Sequence, residues 1–188
     1  LEIVGSYRIG NSDFIFKNIG VKGFYSNNLF KYNEEFTPYL KSSIELGRSF
    51  VQPKYWGTRA LDYLWFGIGA YLKSNPNIKY MFGPVSMSAS FPTVAKDMMI
   101  FYYSHYFKEE VNLVEGKTPY QYSNNISEIK ELFDLEDKKK DFKFLKSALS
   151  SIGVTVPTLY KQYSEITEDG GIKFLSFNID KNFGDCID

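Results

Sequence analysis

Apolar positions along this chain recur at two periods, and the switch between them marks its elements. SIELGRSFV, residues 43–51, alternates apolar and polar side chains at the two-residue spacing of a strand. LEIVGSYRI, residues 1–9, is β-branched, bounded by Gly10 and Asn11, and reads as another strand. Past Gly57 the period lengthens: Leu61, Leu64, Trp65, Ile68, Tyr71 and Leu72 fall on one face of a helix. DFIFKNI and VKGFYS read as a hairpin around Gly20, and residues 31–43 as loop with a short helix near FTPYL. KYMFGPVSMS reads as a buried strand, and FPTVAKDMMIFYYSHYF as a helix with Pro92 in its opening turn. Pro157 opens a helical PTLYKQYSEI, and IKFLSFNID reads as a last strand. Residues 124–153 shift toward charge, with helices near SEIKELF and DFKFLKSALSSI closed by Gly153, and read as an insertion or lid. The chain as a whole, residues 1–188, reads as one mixed α/β (α+β) domain.

The order strand, turn, helix, strand, helix is that of a βαβ unit, which places ligands at the carboxyl ends of its strands. Residues 52–59 occupy that position. A helix N-terminus there presents outward N–H groups and the positive end of the dipole, suited to a phosphate, and Gly57 allows close approach. An ordinary strand-to-helix turn without a ligand fits the same residues. Arg8, Arg48 and Arg59 are the only arginines, and all fall near the strand ends or this turn. Arg48 shares the alternation of Ile44, Leu46 and Phe50. It is therefore expected to be partly buried, and to pair with Glu45 or Asp97 or to contact substrate.

Composition narrows the function classes. Twenty-two basic residues balance twenty-two acidic ones, so no global field draws nucleic acid, and any anion site must be local. A single cysteine, Cys186, and a single histidine, His105, leave no disulfide framework and argue against a zinc site; no metal is expected. No apolar run reaches the length of a membrane span, and the chain reads as cytoplasmic. It begins at Leu1 without a methionine, in a strand-like segment, and reads as part of a longer protein.

Seven segments taken in order, IVGSYRI, GFYSNNLF, ELGRSFVQPKY, LWFGIGAYL, YMFGPVS, VPTLYKQY and FLSFNIDKNFGDCID, resemble the putative hemolysin family, which is similar to bacterial ornithine N-acyltransferases of the GNAT superfamily. The resemblance covers nearly the whole chain. It implies a mixed central sheet splayed at its middle and flanked by helices, with the N-terminal strand and helices of the full domain lying outside this chain. It also implies an acyl thioester inserted between the two central strands, its phosphate on the turn before the first long helix. The usual GNAT turn, Arg/Gln-x-x-Gly-x-Gly/Ala, survives here only at Gly57 of YWGTRAL, with Arg59 and Leu61 where small residues are common. A bulkier turn favours a slim phosphopantetheine arm. The expected donor is acyl carrier protein or acyl-CoA, and an acidic carrier would meet Lys54 and Arg59.

Transfer of an acyl group to an amine needs a deprotonated amine, a polarised carbonyl and a protonated leaving thiolate. Glu45 is the candidate base, or a structural partner of an arginine. Arg48 and Tyr102 join it as catalytic candidates, Tyr102 as proton donor. Phe50, Val51, Gln52, Tyr55, Trp56, Gly57, Thr58 and Arg59 are expected to hold the donor, and backbone N–H groups at Phe50 and Val51 to polarise its carbonyl. Ser86, Ser88 and Tyr160 are candidates for the acceptor or acyl carrier. The expected function is transfer of a long acyl group to a small amine or amino acid in lipid or acyl-amino-acid synthesis. A lipid product leaves room for peripheral association with the inner membrane. A non-catalytic acyl-binding domain derived from the same fold is the alternative.

Overall fold

The computed structural model describes residues 2–188, so Leu1 of the first strand reading lies outside the described residues. Read as one domain from sequence, the chain groups its contacts into two compact units. The first takes in the chain up to Asn28 and Glu34–Pro84; the second takes in Leu29–Asn33 and Val85–Asp188. In chain order the elements are β1 (Gly5–Asn11), α1 (Ser12–Asn18), β2 (Phe30–Tyr32), α2 (Thr37–Leu40), β3 (Ser43–Val51), α3 (Ala60–Ser74), β4 (Tyr80–Phe82) and α4 (Thr93–Tyr106). There follow β5 (Val114–Gly116), α5 (Ile126–Glu131), α6 (Lys138–Ser151), α7 (Thr158–Glu165), β6 (Ile179–Asp180) and β7 (Cys186–Ile187). No helix among the described residues is long and apolar enough to cross a membrane.

The first unit is built on β3. β1 pairs with it antiparallel along most of its length, and β4 pairs parallel over only Ser43↔Tyr80, Ile44↔Met81 and Glu45↔Phe82. The parallel pairing and its early end agree with the expected splayed sheet. Two residues stop it: Gly83 lies so close to β3 that an added Cβ would stand 2.1 Å from the Leu46 carbonyl oxygen, and Pro84 has no N–H to extend a ladder. Ile44 and Leu46 point to one face, where Ile68 of α3 packs with Tyr7, Ile9, Trp65, Tyr71 and Leu72. The helical stripe read from sequence is thus the buried side of α3. On the other face Phe82 meets Phe24 at 5.7 Å and Phe36 at 5.3 Å between ring centroids.

Three sequence readings are corrected here. The expected hairpin around Gly20 is the helix α1, because Asn11 caps Phe14 N–H, Asp13 pairs with Lys17 one turn on, and Gly20, at φ 77°, closes the end by donating to Ile15. KYMFGPVSMS is not one buried strand: Tyr80–Phe82 pairs at a sheet edge with Tyr80 and Met81 exposed, and past Gly83 and Pro84 only the buried Met87 bridges, to Ile187. Most of IKFLSFNID lies outside a strand, since Phe174 turns into an aromatic core and stacks on Tyr103 at 4.5 Å.

In the second unit α4 is apolar nearly all round and therefore central. Leu145 and Leu149 of α6, Ile129 of α5 and Tyr160 of α7 close over it, so residues 124–153 contribute directly to this core. Two buried carboxylates hold the loops to these helices. Asp97 accepts from Tyr120 Oη at 2.6 Å and from the N–H groups of Ser123 and Asn124. Asp141 accepts from Tyr106 Oη and from Asp134 and Leu135 N–H.

Two outcomes are expected. Gly83→Ala forces the Leu46 carbonyl aside and should lower stability by about 1–3 kcal/mol, read as a lower urea midpoint; an unchanged midpoint would mean that β3 yields freely. For Asp141, burial opposes its charge, and the Tyr106 hydroxyl and two N–H donors outweigh burial and hold its pKa below the ordinary value. Its contribution is therefore present above the unfolded-state pKa of about 3.9 and lost as pH falls through the lower folded value. Asp141→Ala should lower the melting temperature clearly at pH 7 and progressively less below about pH 4.

Candidate functional site

Glu45 is the densest polar junction of the first unit. It is 1% exposed, and Arg8 Nη2 and Tyr25 N–H donate to its Oε2 at 2.7 and 3.1 Å. Ser26 N–H and Oγ donate to its Oε1 at 2.8 and 2.5 Å. A carboxylate offers about four lone-pair positions, and these four donors fill them. Direct removal of a proton from a substrate amine needs a free one. In this arrangement Glu45, the carboxylate expected as general base, is a buried charge that orders its neighbours.

Arg48 does not pair with Glu45; Arg8 does. The register of β1 and β3 shifts between Ser6↔Phe50 and Arg8↔Gly47, which places an extra residue in β3. Arg48 takes it up at φ 50°, a left-handed conformation unusual for a residue with a Cβ. The bulge breaks the alternation that would have buried Arg48 with Ile44 and Leu46. Its exposed guanidinium instead rests 5.2 Å from the Tyr25 ring centroid, and that of Arg8 lies 5.3 Å from the same ring. Residues 46–51 have β1 on one side and, among the described residues, no strand partner on the other.

Beyond this open edge the turn folds on itself. Gln52 N–H bonds Val4, Trp56 Nε1 donates to the Val51 carbonyl at 2.9 Å, and Thr58 Oγ1 donates to Tyr55 at 2.6 Å. The N–H groups of Gly57, Arg59, Leu61 and Asp62 have no acceptor among the described residues; Arg59 gives no side-chain cap to α3, and Thr58 Oγ1 accepts only from Ala60 N–H at 3.3 Å. Gly57, at φ 75°, has open space where a Cβ would stand. The α3 N-terminus is thus free for an anion. Both basic side chains of the turn already have partners: Lys54 pairs with Glu2, and Arg59 with Asp62 at 3.4 Å. The Glu2 carboxylate also accepts from the Tyr55 hydroxyl and raises its pKa. Phe50 and Trp56 are exposed beside them.

The remaining candidates belong to the second unit. Tyr102 is buried among Tyr106, Phe107 and Phe142, and its hydroxyl donates to the Lys138 carbonyl at 3.2 Å. Burial and the neighbouring tyrosines raise its pKa. These contacts pack Tyr102, the expected proton donor, into the core of the second unit. Tyr160 is 1% exposed and packs on Tyr103 and Phe174. Ser86 donates to Asp188 Oδ1 at 2.5 Å, and burial raises the pKa of that carboxyl. Ser88 shares a hydrogen bond with Ser90. Among the described residues no three His, Cys, Asp or Glu side chains group so as to hold a metal ion.

Comparison with known proteins meets this geometry. Residues 1–66, which carry β1, β3, the turn and the start of α3, match the acetyltransferase (GNAT) domain family. The fold is GNAT-like. The chain is similar to a glycine N(alpha)-acyltransferase of Bacteroides thetaiotaomicron, at 32% identity over 98% of this chain and 57% of that protein. It is also similar to one of Phocaeicola vulgatus, at 30% identity over 98% of this chain and 59% of that protein. The chain thus spans under two thirds of the length of these relatives. No solved structure matches it significantly.

The Glu45 junction uses three residues that sequence reasoning did not give a role: Tyr25, Ser26 and, as the partner of Glu45, Arg8. Only Arg8 carried a signal, as one of three arginines, and opposite Gly47 it has room to cross the strand. Ser26→Ala removes one hydrogen bond to a buried charge and should destabilise the protein by about 1–3 kcal/mol, with Glu45→Gln at least as severe. Denaturant midpoints check both. An unchanged midpoint for Glu45→Gln, with turnover lost, would restore Glu45 as the base.

Proposed function

We propose that this chain forms the donor-binding core of an N-acyltransferase that moves an acyl group from a phosphopantetheine thioester to the α-amine of glycine or a similar small amino acid. One observation carries the reading. The edge of β3 at residues 46–51, which lacks a strand partner among the described residues, leads through the turn to the N-terminus of α3, where the Gly57, Arg59, Leu61 and Asp62 N–H groups are open to a phosphate. An arm with amide groups along its length and a phosphate at its end matches an open strand edge followed by a helix N-terminus. The ordered likeness of seven segments to hemolysin-like and ornithine acyltransferases supports the donor. The name of the two relatives supports the acceptor.

The reaction is direct. The neutral amine attacks the thioester carbonyl, the C–N bond forms, the C–S bond breaks, one amine proton leaves to solvent and the thiol departs protonated. Backbone N–H groups on the free side of β3 near Phe50 and Val51 polarise the carbonyl. Glu45 keeps β1, β3 and residues 25–26 in place while this happens.

Coenzyme A and acyl carrier protein both present the phosphopantetheine arm. With Lys54 and Arg59 neutralised by Glu2 and Asp62, the turn offers no net basic patch, and the arm rather than surface charge at the turn is what it reads. The test uses the full-length protein with long-chain acyl-CoA in one arm and the matching acyl carrier protein thioester in the other, glycine as acceptor, and mass-spectrometric detection of N-acylglycine with stoichiometric thiol. Product with either donor is expected, and the ratio identifies the source. Donor binding without product in both arms would overturn the enzyme in favour of a non-catalytic acyl-binding domain.

A further inference from the structure

We infer that Arg48 is the acceptor's carboxylate anchor, and that the enzyme selects α-amino acids over simple amines through it. The inference rests on the N-acyltransferase reading for its substrate class, and on four features of the first unit for its location. Two guanidinium groups, those of Arg8 and Arg48, share the Tyr25 ring, and the carboxylate of Glu45 is fully occupied by Arg8, Tyr25 and Ser26. The junction therefore carries one positive charge in excess. Arg8 spends Nη2 on Glu45, while its Nε is buried without an acceptor, so donors outnumber acceptors here as well.

The excess charge is on the accessible residue. Arg48 is exposed and makes no ion pair among the described residues. Its contact with Tyr25 leaves the edge of the guanidinium free for a planar, bidentate partner, and carboxylate is the group that such an edge fits best. Arg48 also stands where the sheet opens: Glu45↔Phe82 is the last parallel pair, three residues before it. An anion held here lies beside the unpaired stretch of β3.

The donor cannot supply that anion. Its phosphate belongs at the α3 N-terminus, and the five residue steps from Arg48 to Pro53 alone span roughly 15 Å of extended chain. The arm between is uncharged. The acceptor's amine must reach the thioester, and on a small amino acid the one other charged group is the carboxylate, two bonds away. Arg48 thus holds the acceptor by the group that does not react.

The experiment compares glycine with glycinamide, which keeps the amine and lacks the carboxylate, in full-length wild type, Arg48→Gln and Arg48→Lys. Binding of each acceptor is followed by calorimetry, and turnover by product formation, with KM expressed for the neutral amine because the two amines differ in basicity. Wild type should bind glycine and discriminate against glycinamide by about tenfold to a hundredfold, as for loss of a charge-assisted pair. Arg48→Gln should raise KM for glycine by a similar factor, leave KM for the donor unchanged and erase the discrimination, while Arg48→Lys keeps part of it. Equal handling of glycine and glycinamide by the wild type overturns the inference without requiring any variant to fold. So does an unchanged KM for glycine in Arg48→Gln, and so does a raised KM for the donor alone, which would move Arg48 to the phosphate. Glycine binding that depends on Arg48, in a protein that makes no N-acylglycine, sustains the anchor and sinks the enzyme. Product formation indifferent to Arg48 does the reverse.

Discussion

A buried carboxylate is tolerable only when its charge is answered, and the first unit is organised around answering that of Glu45. Its four donors come from two stretches of chain that are remote in sequence, Arg8 on β1, and Tyr25 and Ser26 from the segment after α1, and meet a side chain on a third, β3. None of these can move alone without stranding a charge in a dry environment. Hydrophobic packing of Ile44 and Leu46 against α3 would hold the sheet in many registers of the opposite face. The Glu45 junction admits one. By fixing Tyr25 it also fixes the ring on which both guanidiniums rest, so the position of Arg48 depends on a carboxylate it does not touch.

The same strand has two unlike edges. Toward β1 the ladder is long, interrupted only by the bulge; toward β4 it lasts three residue pairs and then stops at Gly83 and Pro84. An unpaired strand edge is ordinarily a liability, inviting another strand to add to it. Here the edge is short, carries a charged residue at its bulge, and runs into a helix N-terminus where the Gly57, Arg59, Leu61 and Asp62 N–H groups have no acceptor among the described residues. A strand edge followed by open helix N–H groups suits a ligand with amides followed by an anion better than it suits a protein strand, which has nothing to offer the helix.

Much of this was legible in the sequence. β3 emerged with its bounds, α3 with its buried stripe, and the parallel pairing of β3 with β4 was implied by the family resemblance and allowed by the βαβ order. The misses share a cause: each turns on a feature that leaves no periodic trace. α1 is set by caps at Asn11 and Gly20 on a segment too short to show a period, and FIF imitates a strand. β2, β5 and β7 are two or three residues long, below any pattern. The Glu45 junction is assembled from separations of 37, 20 and 19 residues that only the fold brings together. The bulge at Arg48 was invisible for a sharper reason. A left-handed position is normally announced by glycine or asparagine, and here an arginine occupies it.

That occupancy bears on why the residue is there. A residue with a Cβ held in the left-handed region costs about 1–2 kcal/mol, and glycine would remove most of that. The neighbouring Gly47 does not take the strained position; Arg48 does. Strain of this kind persists when surrounding contacts over-determine the backbone, and the Glu45 junction on one side and the β1 ladder on the other supply that constraint. It also has a geometric consequence. Without the bulge, alternation would send the residue-48 side chain to the face covered by α3, where a guanidinium would be buried without a carboxylate. With the bulge it emerges at the ring shared with Arg8, exposed, and level with the opening of the sheet. The backbone distortion is what converts an arginine that would have destabilised the core into one that can meet a ligand.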